Sequence, residues 1–380
     1  MNVLILTEKY PPDAGGLAVS TQRLAHGLAR TGHAVCVSVL CDSAVPGDIV
    51  ATDDAGLPVF RIGAQRRSDD TSAAWFDHVL ALDAGRGFNI IHAMYVTRPA
   101  FVAVTAARYL GRPSVVSARG NDLDRTAFDP GKFSQIAWSL HNASAVTAVT
   151  SDLARKVCAF APGVEAHVVP NGVDTARFAP GPRDEALAES LGLADVEIVG
   201  FVGEARQKKG LTVLLPAFAR ACARSDRRLA LLMVGGVRKD DAPVLDVFRR
   251  QNPALELCLV PAVGHAELAA YYHLADVLAV PSLRDGMPNA LLEGMACEKA
   301  VVASRVGGIP DVLCRDGAEN GVLVPPGDVA ALGDAILALL ADLPLRTRLG
   351  RAARLTVASD FTPAQEIERN LEVYRSLWGY

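Results

Sequence analysis

The chain has 380 residues, half of them hydrophobic and only 6% aromatic, with a formal net charge of −4. A single core stops growing at ~250–300 residues, so two domains are expected. The slight acidity and the lack of a long basic run argue against a nucleic-acid partner, and no apolar run approaches the ~20 residues of a membrane span.

In chain order, Val3–Leu6 reads as a strand, Thr7–Gly16 as a loop and Ala18–Arg30 as a helix stopped at Gly32. A strand follows at Val35–Leu40. This βαβ pattern predicts a parallel sheet. Further strands are expected at Val59–Ile62, Ile90–His92, Ser114–Ser117, Ala145–Val149 and Ala166–Val169, with helices between them, among them Pro99–Tyr109 and Ser151–Phe160. The run Pro170-Asn171-Gly172-Val173-Asp174, followed by Pro180-Gly181-Pro182, is rich in turn formers and reads as a linker. A second series begins at Val196–Val202 with a helix at Leu211–Ala223. It continues through strands at Leu229–Val234, Leu255–Leu259, Val277–Val280, Val301–Ser304 and Gly321–Val324, and a last helix is expected at Pro363–Trp378. The fold class is therefore α/β, two doubly wound parallel-sheet domains facing across a cleft. The first covers about 1–170 and the second 171–360, with a C-terminal helix near 361–380 able to pack back on the first.

The N-terminal residues enter a strand directly, which reads as no signal peptide and a cytoplasmic protein. The seven cysteines are scattered and form no Cys-x-x-Cys pair, so buried free thiols are expected rather than zinc or redox sites.

Five motifs fall where strands should end. Gly15-Gly16 lies between the first strand and helix, where glycine lets a ligand approach and a helix N-terminus favours phosphate; a plain tight turn would need the same residues. The dinucleotide fingerprint G-x-G-x-x-G is missing. Arg119-Gly120-Asn121-Asp122-Leu123-Asp124 contains an Asp-x-Asp, which offers either a metal pair or a helix cap with an Arg125 partner. Gly203-Glu204-Ala205-Arg206-Gln207-Lys208-Lys209-Gly210 is a charged loop, solvated or ligand-gripping. Asn171-Gly172-Val173-Asp174 sits in the linker. After Val277–Val280 the chain reads Pro281-Ser282-Leu283-Arg284-Asp285-Gly286-Met287-Pro288-Asn289-Ala290, and a helix then carries Glu293. Two carboxylates are thus held in a strand–loop–helix crevice, where open α/β sheets bind ligands, beside a helix end that favours an anion. Glu293 has no basic residue on its own helical face, so it reads as a paired core acid or a hydroxyl binder.

Together these motifs resemble the retaining nucleotide-sugar glycosyltransferases of the family 4 (group 1) type, with GT-B architecture. The resemblance implies transfer of a sugar from a nucleotide diphosphate sugar to an acceptor hydroxyl, in glycan, glycolipid or glycoconjugate synthesis. No metal or other cofactor is expected, because a three-residue Asp-x-Asp alone is a poor cation site and cationic side chains are available for the leaving group. It implies that Lys209 grips the diphosphate and that Glu293 binds ribose. Asp285, where the family carries glutamate, would contact the donor sugar, and Arg119 stands where the family usually has histidine. Glu204 occupies the place of the family's arginine, so Arg206 is expected to supply that cation. Gly15, Gly16, Gly203, Gly286, Met287, Pro288, Asn289 and Ala290 would bind the donor through backbone. The acceptor is expected to be a carbohydrate, a lipid-linked molecule or another small molecule, with peripheral contact at the inner membrane face open. The departures at Arg119, Glu204 and Asp285 leave a catalytically inactive sugar-nucleotide-binding or scaffold subunit as a rival, and a nucleotide-sugar epimerase or a phosphorylase as others.

Overall fold

A run such as Leu229-Ala230-Leu231-Leu232-Met233-Val234 has no polar side to turn to water. In the computed structural model all six residues are buried within a parallel sheet covered on both faces. The structure describes residues 1–13, 15–41 and 43–378. They form two compact units: Met1–Asn171 joined by the segment from Pro363 onward, and Gly172–Thr362.

The first unit runs β1 (Asn2–Thr7), α1 (Gly16–Arg30), β2 (Ala34–Cys41), β3 (Ile49–Asp54), β4 (Leu57–Gly63), α2 (Ser68–Arg86) and β5 (Ile90–Met94). It continues with α3 (Arg98–Leu110), β6 (Ser114–Ala118), α4 (Asn121–Asp124), α5 (Pro130–Asn142), β7 (Ala145–Ala148), α6 (Ser151–Phe160) and β8 (Ala166–Val168). The sheet order is β3-β4-β2-β1-β5-β6-β7-β8. All pairs are parallel except β3 with β4, a hairpin closed by Ala55 and Gly56 at φ 52° and 86°.

The second unit comprises α7 (Glu185–Ser190), β9 (Glu197–Val202), α8 (Leu211–Cys222), β10 (Leu229–Val234), α9 (Ala242–Gln251), β11 (Glu256–Val260), α10 (Leu268–Leu274) and β12 (Val277–Val280). After these come α11 (Asn289–Ala296), β13 (Ala300–Ser304), β14 (Val322–Val324), α12 (Val329–Ala341) and α13 (Leu343–Asp360). The order β11-β10-β9-β12-β13-β14 is wholly parallel.

The last helix, α14 (Pro363–Ser376), belongs to the first unit. Its Ile367, Leu371, Val373 and Tyr374 join the core made by Val3, Ile5, Leu24 and Leu28. Burial of each aliphatic side chain contributes roughly 1.5–3 kcal/mol. Arg23 of α1 holds Glu366 through two hydrogen bonds of 2.5 and 3.1 Å. The Tyr374 hydroxyl meets His92 Nδ1 at 2.6 Å, while His92 Nε2 lies 2.7 Å from Ser117 Oγ. Burial, reinforced by the nearby Arg119 charge, lowers the His92 pKa to about 3, so this network is neutral. Among the described residues, no helix is long and apolar enough to cross a membrane.

Candidate active site

In each sheet the strand order reverses once, and that reversal opens a crevice at the strands' carboxyl ends. In the second unit it lies between β9 and β12. The two loops leaving these strands are Gly203–Gly210 and Pro281–Pro288, the same two segments that carry the sequence-expected cations and Asp285.

Backbone contacts fasten these loops together. Leu283 N donates to Lys208 O at 2.9 Å. Gly210 has φ 81°, and a side chain there would collide with the Pro281 carbonyl. A third loop supports them: Gly308 N donates to Gly286 O at 2.8 Å, and Gly307, at φ 54°, leaves room for the Asp285 carbonyl.

The result is an ion pair between Lys209 Nζ and Asp285 Oδ2 at 2.5 Å, with side chains 23% and 12% exposed. Ser282 Oγ donates to the same oxygen at 3.2 Å. Burial pushes the Asp285 carboxyl up. The Lys209 ammonium, the Lys208 charge and the Ser282 hydroxyl outweigh it and hold the group below the ordinary carboxylate range. An ammonium carries three donors, so Lys209 can bond Asp285 and still present N–H groups to an anion.

Beyond Asp285, Gly286, Met287 and Pro288 lead into α11, which starts with Asn289 and Ala290. Among the described residues no side chain caps this helix, whose first turn carries a partial positive charge. One turn on, Glu293 is 7% exposed. Tyr272 donates its hydroxyl to Glu293 Oε2 at 2.7 Å, and His265 Nε2 lies 3.2 Å from Oε1. The sequence reading looked for partners along α11 alone and missed both, since each comes from a neighbouring element. Arg206 pairs with Glu204, Nη1–Oε2 at 3.2 Å, so the carboxylate offsets the cation. Arg206 Nε is buried and lacks a hydrogen-bond partner among the described residues. Gly203 takes φ 124° where the chain turns from β9 into this loop.

In the first unit the reversal lies between β1 and β5. A pocket of about 1060 Å³ opens there, lined among others by Glu8, Lys9, Tyr95, Thr97, Arg98 and Arg125. Tyr95 has φ 113°, a conformation that bulky residues rarely adopt and that concentrates at functional positions. Thr97 Oγ1 donates to Glu8 at 2.5 Å across the reversal. Sequence reasoning did not single out Tyr95, because nothing in the residue type announces its backbone.

Gly15, at φ 123°, precedes Gly16 at the start of α1, but neither lines the pocket. Arg119, which stands where the family usually has histidine, donates its Nη2 to Asn171 Oδ1 at 2.6 Å. Burial lowers its pKa to about 10, with Arg23 adding to that while Glu366 and Asp122 oppose it, and it stays cationic. The Asp-x-Asp splits in two. Asp122 accepts from the amides of Val96, Arg119, Gly120 and Leu123 at 2.6–3.3 Å, whereas Asp124 pairs with Lys156 at 2.6 Å. No group of three or more potential metal ligands occurs among the described residues.

Residues 14–177 match the family model described as Glycosyltransferase Family 4, and residues 196–342 match Glycosyl transferases group 1. The D-inositol 3-phosphate glycosyltransferase of Kineococcus radiotolerans is 30% identical over 96% of this chain and 91% of its own. The alpha-maltose-1-phosphate synthase of Mycobacterium tuberculosis is 29% identical over 99% and 100%. Among solved structures, HepE of Anabaena in complex with UDP has a TM-score of 0.82 at 18% identity, covering 99% of this chain and 100% of that one. Sucrose-phosphate synthase of Thermosynechococcus elongatus has a TM-score of 0.81 at 22% identity, covering 100% and 99%. At these identities the two structures show a shared fold.

Proposed function

Because the chain belongs to the group 1, family 4 glycosyltransferases, we propose that it moves a glycosyl group from a nucleoside diphosphate sugar to an acceptor hydroxyl with retained configuration. The observation that carries this is the Lys209–Asp285 pair at the switch point between β9 and β12, next to the positive end of α11. Cation and helix end together suit a diphosphate. Asp285 anchors Lys209 and leaves its other N–H groups for the leaving group. Glu293, one turn into α11 in the same crevice, takes the ribose hydroxyls.

The difficult event is departure of the diphosphate. The bond from the anomeric carbon to the phosphate oxygen breaks with its electron pair on the diphosphate, while the acceptor oxygen forms the new bond. Lys209, Arg206 and the first turn of α11 offset the charge that develops on the leaving group. Both carboxylates are engaged, Asp285 by Lys209 and Ser282, Glu293 by Tyr272 and His265. With Glu293 given to the ribose and Asp285 paired to Lys209, no covalent glycosyl intermediate is invoked, and the departing phosphate oxygen receives the acceptor proton on the same face.

The pocket at the β1–β5 reversal is assigned to the acceptor. Lys9 and Arg125 line it without an ion-pair partner among the described residues, beside the carboxylates of Glu8, Asp13, Asp69 and Asp129, a mixed lining that suits a polyol or sugar with both hydroxyls and an anionic group. Two of the similar proteins are named for such molecules, an inositol phosphate and a maltose phosphate.

The test is release of nucleoside diphosphate by the purified chain from UDP-, ADP- and GDP-sugars, with and without inositol phosphates and hexose phosphates. Acceptor-dependent release, with the donor's anomeric configuration kept in the product by NMR, is expected. An inverted product would refute retention. Nucleotide binding without turnover on any acceptor would favour the inactive binding subunit.

A further inference from the structure

Glu293 is a buried acid whose orientation decides what its two oxygens can accept, and two side chains from different elements fix that orientation. We propose that His265, together with Tyr272, is a positioning residue that sets the Glu293 carboxylate for the two ribose hydroxyls of the donor. This rests on the ribose reading of Glu293 given above.

His265 lies in the loop between β11 and α10. Arg177 Nη1 is 2.9 Å from its Nδ1. A guanidinium has donors and no acceptor, so Nδ1 must offer its lone pair. The ring proton is then on Nε2, the nitrogen 3.2 Å from Glu293 Oε1. Arg177 thereby selects the tautomer that donates to Glu293, an arrangement in which one hydrogen bond decides the role of the ring's other nitrogen. The edge of the ring is fixed as well: Phe178 stands against His265 at 5.1 Å between centroids and against Tyr272 at 5.9 Å.

Tyr272 approaches from α10, fully buried, with its hydroxyl 2.7 Å from Oε2. Burial, helped by the Glu293 charge, raises its pKa well above the ordinary tyrosine value, so the phenol keeps its proton and donates. Each carboxylate oxygen has two lone-pair sites. One on each is occupied, by His265 on Oε1 and Tyr272 on Oε2, which pins the carboxylate plane and leaves one site per oxygen. A vicinal diol presents two hydroxyls to two such sites.

The experiment is calorimetry with UDP, ADP and GDP, followed by the 2′-deoxy and 3′-deoxy forms of whichever binds most tightly. Glu293→Gln, His265→Ala, His265→Gln and Tyr272→Phe are compared with the unaltered chain. His265→Ala and Tyr272→Phe are each expected to weaken the ribonucleotide about tenfold and to leave the deoxynucleotides within about twofold, because the lost hydrogen bond acts through the hydroxyls. His265→Gln keeps an N–H donor and recovers part of the loss. In steady-state kinetics both losses raise donor KM more than they lower kcat.

Equal weakening of ribo- and deoxynucleotides by His265→Ala would mean that the residue only maintains the loop, and the proposal would fall. If Glu293→Gln discriminates between them while His265→Ala and Tyr272→Phe do not, the positioning role alone is wrong. If Glu293→Gln itself binds both forms like the unaltered chain, or no nucleotide binds the unaltered chain, the ribose reading is wrong and this inference goes with it.

Discussion

Replacing Lys209 by methionine keeps the alkyl stem and removes the charge that stands 2.5 Å from Asp285. The carboxylate, 12% exposed, is left with the Ser282 hydroxyl at 3.2 Å. Breaking a fully buried pair on one side costs ~3–5 kcal/mol. Lys209 is 23% exposed, so water reaches the vacated position. That reduces the expected loss to roughly 1–2 kcal/mol, or about 2–8 °C in Tm for a unit of this size.

The pH dependence carries more information than the size. With Lys209 present, the Asp285 pKa lies below its unfolded value. Its stabilisation is complete above the unfolded pKa and lost as pH falls through the folded one. Without Lys209, burial is the largest remaining influence, opposed only by the Lys208 charge and the Ser282 hydroxyl, and the folded pKa is expected to rise above the unfolded value. The variant is then destabilised at neutral pH and relieved as protons arrive. The Tm gap between the two proteins should be widest near about pH 8 and narrow toward about pH 4.5. Scanning calorimetry across that range tests it, and a constant gap would refute the claim that Lys209 offsets the burial of Asp285. Turnover should drop ~10²–10³-fold, the usual loss on removing one preorganised stabiliser of leaving-group charge.

Arg206→Ala should do less harm than Lys209→Met, raising donor KM about tenfold, because Glu204 already offsets the guanidinium. Glu204→Gln should lower donor KM by leaving that cation uncompensated; unchanged KM in both variants would remove the pair from the donor site. Exhaustive EDTA treatment is expected to leave transfer intact, since Asp122 is committed to four backbone amides and Asp124 to Lys156. A loss that magnesium or manganese restores would contradict this.

The strands were legible because apolar runs such as Val277–Val280 can survive only where both sheet faces are covered, and each expected strand is found within a residue or two. β3 escaped notice because it is an edge: Ile49–Asp54 is almost wholly exposed and carries no buried face to pattern. The site was legible only in pieces. Lys209 and Asp285 were each recognised by neighbours in sequence, but 76 residues separate them and nothing local says that they touch. His265 and Tyr272 lie 28 and 21 residues from Glu293, and their role appears only once α10 and the loop after β11 pack on α11. Arg119 stands at a strand's carboxyl end as expected, but its partner Asn171 is 52 residues away.

The docking of α14 onto the first unit sets an order of events during synthesis. His92 meets its Tyr374 partner 282 residues later, and Arg23 meets Glu366 after 343. At ribosomal rates of ~5–20 residues per second, the first sheet waits on the order of tens of seconds for the helix that completes its core. During that interval Val3, Ile5 and Leu28 lack part of their cover, and a buried histidine lacks one partner. The second unit is contiguous in sequence and needs nothing from further down the chain. It can finish first even though it emerges second. Recombinant fragments ending at the linker should therefore aggregate unless α14 is supplied in trans, whereas the second unit can be produced alone.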